Sequence, residues 1–109
     1  MKIEWLYEAQ AEYRDLLSFH LNNVGRDSAR RFADRILGAV GKLEMFPEMG
    51  VLRENTLLGK HGFRALFIGK YACIYRIDGD FVYIYHLTDA RTGYMYRIFG
   101  VTASEDSEE

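Results

Sequence analysis

The chain is 109 residues long, 49% apolar and 15% aromatic, with a formal net charge of −2. That length and apolar content suit one domain with one core and leave little room for a second. No run approaches the roughly 18 consecutive apolar residues of a membrane helix, and the opening Met1-Lys2-Ile3-Glu4-Trp5 lacks the apolar stretch of a signal peptide. A cytoplasmic protein with no membrane partner is therefore expected. Glu105, Asp106, Glu108 and Glu109 supply four of the 16 acidic residues, so residues 1–102 hold 12 against 14 Lys and Arg, a net of +2. A dedicated nucleic-acid binder carries a clearer cationic stripe than that. Cys73 has no second cysteine to pair with, and His20, His61 and His86 do not stand at metal-ligand spacing, so neither a disulfide, a metal nor a cofactor is expected.

Residues 2–6 alternate polar with apolar and predict a short strand at or near a sheet edge. Helical spacing follows over 8–24, where Tyr13, Leu16, Leu17, His20, Leu21 and Val24 recur at three- and four-residue intervals and Gly25 marks a stop. Asp27 or Ser28 can cap a second helix, whose Ala29, Phe32, Ala33, Ile36, Leu37, Val40, Leu43 and Phe46 keep the spacing up to Pro47. The two helices should pack as an antiparallel hairpin, with Gly38 and Gly41 as places for a close approach.

Residues 48–62 read as a loop. Three segments rich in β-branched and aromatic residues then alternate over 63–68, 71–77 and 80–87, joined by Gly69-Lys70 and by Asp78-Gly79, the latter a type I′ signal. A strand, a helix hairpin and a three-stranded antiparallel meander, in the order β-α-α-β-β-β, give an α+β fold with helices on one sheet face. Residues 95–101 could add a strand or a short helix. The domain should span 1–102, followed by an acidic disordered tail over 103–109.

With the elements in this order, the residues resemble the RelE/ParE superfamily of toxins from type II toxin–antitoxin systems, which includes plasmid stabilisation proteins. The resemblance rests on Ile3-Glu4-Trp5 ahead of a helix with Ala9 and Ala11, on Leu43-Glu44-Met45-Phe46-Pro47-Glu48-Met49-Gly50, and on the meander from Phe63 through Asp80. It continues through Val82, Ile84, His86 and Arg91, and spans about residues 2–94 by order and spacing rather than by one diagnostic motif. It implies a growth-inhibiting toxin held inactive by a cognate antitoxin, as a homodimer or a toxin–antitoxin hetero-oligomer. Two activities occur in the superfamily: RelE-like members cut messenger RNA on the ribosome, and ParE-like members bind and poison DNA gyrase. A shared fold does not choose between them.

Two-residue turns would set Tyr75 opposite Val82, Cys73 opposite Ile84 and Tyr71 opposite His86 on one face, joined by Leu66 and Ile68 and covered by the helices. The other face would carry Phe63, Ala65, Phe67, Ala72, Ile74, Tyr83 and Tyr85. RelE-like nucleases place phosphate-binding lysines and arginines on that face. Here Phe63, Ala65, Phe67 and Ala72 stand at those positions, which favours a protein-directed toxin over an RNA-cutting enzyme. Phe63, Phe67, Tyr83 and Tyr85 are the candidate partner-binding residues, unless residues 95–101 fold back over them.

Candidates for catalysis are Arg64, His86, Arg91 and Tyr94, the last two where nucleolytic relatives carry an arginine and a tyrosine, with Tyr96 and Arg97 close by. Each has a structural alternative. Arg64 could bond a helix or loop, His86 could pack against Tyr71 rather than act as a base, and Arg91 could fix the loop after the last strand. His61, Lys60 and Lys70 read as solvated turn residues, and Cys73 as inert core. A non-toxic interaction module of the same fold is the third reading.

Overall fold

The computed structural model describes residues 1–91; Tyr94, Tyr96, Arg97, the element expected over 95–101 and the tail over 103–109 lie outside them. The first strand, β1 (Lys2–Trp5), leads into helix α1 (Tyr7–Asn23), and after Val24-Gly25 the chain forms α2 (Arg26–Gly41) and a short 3₁₀ turn over Lys42–Glu44. The sheet is completed by β2 (Val51–Leu52), β3 (Phe63–Ile68), β4 (Tyr71–Asp78) and β5 (Phe81–Asp89), in the spatial order β1-β5-β4-β3-β2. The expected α+β order holds, with one strand more: Val51 and Leu52, inside the expected loop, pair with Ala65 and Arg64 and form one sheet edge. β1 forms the other edge and runs parallel to β5.

The expected cap of α2 is not made. Gly25 stands at the N-cap with no side-chain hydrogen bond. Ser28 has turned its hydroxyl to His20 Nδ1 at 3.0 Å, and Asp27 acts only as an acidic group in the positive first turn. Gly38 and Gly41 do not mediate a close approach either, since a Cβ at either position would meet nothing within 4 Å.

The helix hairpin covers one sheet face with α1 over β5 and α2 over β3. Ala9, Phe32, Ile36, Val40 and Leu43 meet Ile68, Tyr71, Cys73, Tyr75, Val82, Ile84 and Leu87 in the main core. An aromatic run links the layers: Trp5 edge-on to Tyr13, Tyr13 stacked on Phe32, Phe32 stacked on His20 and edge-on to Tyr71. Residues that alternate onto this face disappear from water, and each fully buried Ile or Leu contributes about 1.5–3 kcal/mol.

The β3–β4 turn is centred on Gly69-Lys70, with Ile68 opposite Tyr71 as expected. The β4–β5 turn is not centred on Asp78-Gly79. Asp78 pairs with Phe81, so Gly79 and Asp80 are the central residues; Gly79 takes φ +61°, and among the described residues no non-glycine has positive φ. Positive φ at the first central position alone is the type II′ pattern, not type I′. The pairing consequently moves Tyr75 from Val82 to Ile84, an even shift that preserves the faces. A β-bulge then steps over Tyr85, and Cys73 meets Leu87, Tyr71 meets Asp89 and His86 meets Ile74. The extra residue reverses the alternation beyond it, so His86 is not opposite Tyr71 on the core side.

Candidate functional site

The face turned from the helices is not bare. Ala65, Ala72 and Ile74 are completely buried there, packed with Ala90 and with the half-buried Leu58, Phe63 and Phe67 in a second, smaller core. Beside it runs an aromatic ledge. Phe63 meets Tyr85 edge-on with ring centroids 4.7 Å apart, and Phe81 stacks on Tyr83 at 5.5 Å. From its place at the bulge, the Tyr85 ring reaches Phe63 across β4. Phe63, Phe67, Tyr83 and Tyr85 are each half-buried, so the ledge presents ring edges and faces rather than free side chains.

Two cations border this ledge, and the Lys2 ammonium lies 6.0 Å from the Phe81 ring centroid. The Arg76 guanidinium lies 5.7 Å from the Phe63 ring centroid and 4.0 Å from an Asp78 carboxylate oxygen. Its charge is thus shared between a ring and an acid. The strand positions where phosphate-binding cations would be needed are instead Phe63, Ala65, Phe67 and Ala72.

The candidate catalytic residues do not converge. Arg64, across from Tyr75 on the helix-facing side, donates from Nη1 to the carbonyls of Gly50 at 3.0 Å and Glu48 at 3.3 Å. It ties the loop after the 3₁₀ turn to the start of β3. Arg91 follows β5 at the other end of the sheet, where Nε and Nη2 clasp the two Asp89 carboxylate oxygens at 3.0 and 2.8 Å and its backbone N–H donates to Oδ1. The Arg91 bonds hold the Asp89 carboxyl below the usual carboxylate range. Tyr94 lies outside the described residues.

His86 sits between these two ends with its Nδ1 3.3 Å from Glu12 Oε1 on α1. The same carboxylate oxygen accepts the Leu87 backbone N–H at 3.0 Å. β1 ends at Trp5 opposite Ile84, so the outer edge of β5 has no strand beside it farther on, and Glu12 satisfies a donor there. The hydrogen bond to Glu12 raises the His86 pKa above its ordinary 6.5, with burial acting in the opposite direction. A cavity of about 400 Å³ borders His86, lined also by Leu6, Tyr7, Glu8 and Tyr85. Glu12 was not among the residues expected to form a site. Its signal was its place in the second turn of a helix that must cross the uncovered end of β5.

Lys60, His61 and Lys70 are exposed, and Cys73 is fully buried. Among the described residues no group of three or more His, Cys, Asp or Glu could hold a metal, and no helix is long and apolar enough to cross a membrane.

The fold is similar to that of a solved structure titled "Chromosomal ParDE TA system from P. aeruginosa". The TM-score is 0.69 at 19% identity, over 82% of this chain and 95% of that one. No curated protein matches in sequence. Residues 3–94 match the family described as the ParE toxin of the type II toxin–antitoxin system parDE. With nearly all of the folded domain inside that match, the chain belongs to the ParE toxin family.

Proposed function

We propose that the chain is the toxin of a type II pair that restrains growth by binding a protein, DNA gyrase first among the candidates, and that a cognate antitoxin neutralises it. One observation carries this reading over RNA cleavage. Phe63, Ala65, Phe67 and Ala72 occupy the strand positions a phosphate-gripping site would need, and Ala65 and Ala72 are completely buried. Positioned cations are the main electrostatic resource of such a site, and these side chains have none. An aromatic ledge in a polar rim suits protein recognition, where Tyr and Phe are enriched.

The test is a supercoiling assay with purified gyrase together with a direct binding measurement. Inhibition and binding are expected. Untouched supercoiling with no binding removes gyrase as the target. Co-expression with a small neighbouring reading frame encoding a DNA-binding protein should restore growth and give a co-purifying hetero-oligomer.

A ribosome-dependent mRNA endoribonuclease is the second reading, favoured by one arrangement: His86 hydrogen-bonded to Glu12 beside Tyr85. A histidine oriented by a carboxylate is a general-base geometry. Transcript ends mapped after induction would show new cuts in translated regions under this reading and none under the first. Induction with no growth arrest would instead identify a non-toxic interaction module.

A further inference from the structure

A cavity of about 540 Å³ opens on the helix-covered side, at the end of the sheet where β3 turns into β4, away from the aromatic ledge. Arg31 and Arg35 line it from α2, four residues apart and so on one helix face, and Lys70 lines it from the turn. Among the described residues, neither arginine forms an ion pair. The acid nearest in register, Asp89 opposite Tyr71, is clasped by Arg91. Lys70 shares the field of Asp89, which Arg91 already clasps, so three cations face one opening and, among the described residues, the two arginines have no carboxylate of their own.

The walls between them are preorganised. His20 holds Ser28 Oγ at 3.0 Å through Nδ1 and the Tyr71 hydroxyl at 2.9 Å through Nε2, and its ring stacks on Phe32 at 4.7 Å. Phe32 and Tyr71, 6% and 8% exposed, form an aromatic floor. The Lys70 ammonium stands 5.5 Å from the Tyr71 ring centroid. Arg35 lies across the turn so closely that a Cβ on Gly69 would come within 2.6 Å of Nη2. A glycine at 69 thus lets the guanidinium reach the turn from which Lys70 projects.

We propose that this cavity binds a small phosphoryl-bearing molecule, its phosphate between Arg31, Arg35 and Lys70 and its body against Phe32 and Tyr71. Two guanidinium forks and an ammonium exceed what a single carboxylate needs, and forks match the oxygens of a phosphoryl group. The volume falls within the roughly 300–1,000 Å³ of small-molecule sites. The site shares no residue with the ledge, so it stands or falls independently of the gyrase reading.

Calorimetric titration of the intact chain with inorganic pyrophosphate, at ionic strength fixed with sodium chloride, tests it. Saturable one-to-one binding is expected. Replacing both arginines, Arg31→Gln with Arg35→Gln, should weaken it by about tenfold or more, as expected for lost charge-assisted bonds. The single Arg35→Lys keeps the charge but removes the fork; it should weaken binding less, and it supplies the comparison if the double variant loses its fold. Lys60→Gln, which removes a charge outside the cavity, should leave binding unchanged. Heats that do not saturate, or an equal loss in Lys60→Gln, would overturn the proposal. So would tighter binding of a Glu-rich decapeptide than of pyrophosphate, which would make the cavity a seat for an acidic protein segment.

Discussion

The Gly50 backbone N–H donates to the Tyr75 hydroxyl at 2.8 Å, and that hydroxyl donates in turn to the Pro47 carbonyl at 2.7 Å. Tyr75 is completely buried, and burial pushes the hydroxyl's pKa up, so it stays a neutral donor where the main core meets the 47–50 segment. The contact leaves no space for a side chain, because a Cβ at Gly50 would be 2.7 Å from the Tyr75 hydroxyl. Tyr75→Phe should cost about 1–3 kcal/mol by stranding a buried N–H. Gly50→Ala should cost about the same by overpacking. Urea unfolding followed by circular dichroism measures both, and midpoints equal to the parent would mean that the 47–50 segment relaxes freely.

Gly38 makes the opposite case. It lies inside α2, is exposed, and would place a Cβ in open space. Gly38→Ala should stabilise the chain by about 0.5–1 kcal/mol, because alanine loses less backbone freedom on entering the helix. A higher melting temperature is the expected reading, and a lower one would reveal an unseen packing role.

The limits of reading this chain from its residues follow from the same kind of detail. Helix positions and sheet faces were legible because alternation survives a register shift of an even number of residues, as happened when Tyr75 met Ile84 instead of Val82. The bulge at Tyr85 was not legible, since a bulge leaves no mark in composition, and it relocated His86. β2 was missed because two residues are too few to show a period. The roles of Arg64 and Glu12 depend on backbone groups far away in sequence, Gly50 and Leu87, so residue type alone could not assign them. Arg31 and Arg35 carried a visible signal, two cations at helical spacing, but their meeting with Lys70 needed the fold.

Cys73 is fully buried in the main core, and burial pushes its thiol up to about 12. The thiolate is the reactive form, so a colorimetric disulfide reagent should react with Cys73 only as fast as the protein opens. Addition of denaturant should release the full thiol signal. Rapid labelling of the native chain would show that β4 opens locally.

Glu12 and His86 set a pH dependence whose sign is fixed by the direction of the shift. The folded His86 pKa is raised above the ordinary 6.5, so its contribution is complete below 6.5 and is lost as pH rises through the raised value. The urea midpoint should therefore fall as pH rises from 6.5 through the raised His86 pKa. In Glu12→Gln the amide oxygen still accepts the Leu87 N–H, but the charge is gone, so this part of the fall should vanish. An unchanged pH profile in Glu12→Gln would assign the slope to other groups.

The aromatic ledge separates recognition from folding. Tyr83 is half-buried and stacks on Phe81, whereas Ala65, Ala72 and Ile74 lie fully enclosed nearby. If the ledge is where a protein partner docks, Tyr83→Ala should remove about 2 kcal/mol or more from binding, the size of an interface hot spot. Its effect on folding should be smaller, because much of the ring already faces water. Phe63→Ala should weaken partner binding too, but with a larger loss of stability, since the Phe63 ring also packs on the second core and against Tyr85. The ratio of the two losses is the discriminating quantity. It should favour binding for Tyr83 and folding for Phe63; equal ratios, or undiminished binding in both variants, would move the partner surface elsewhere.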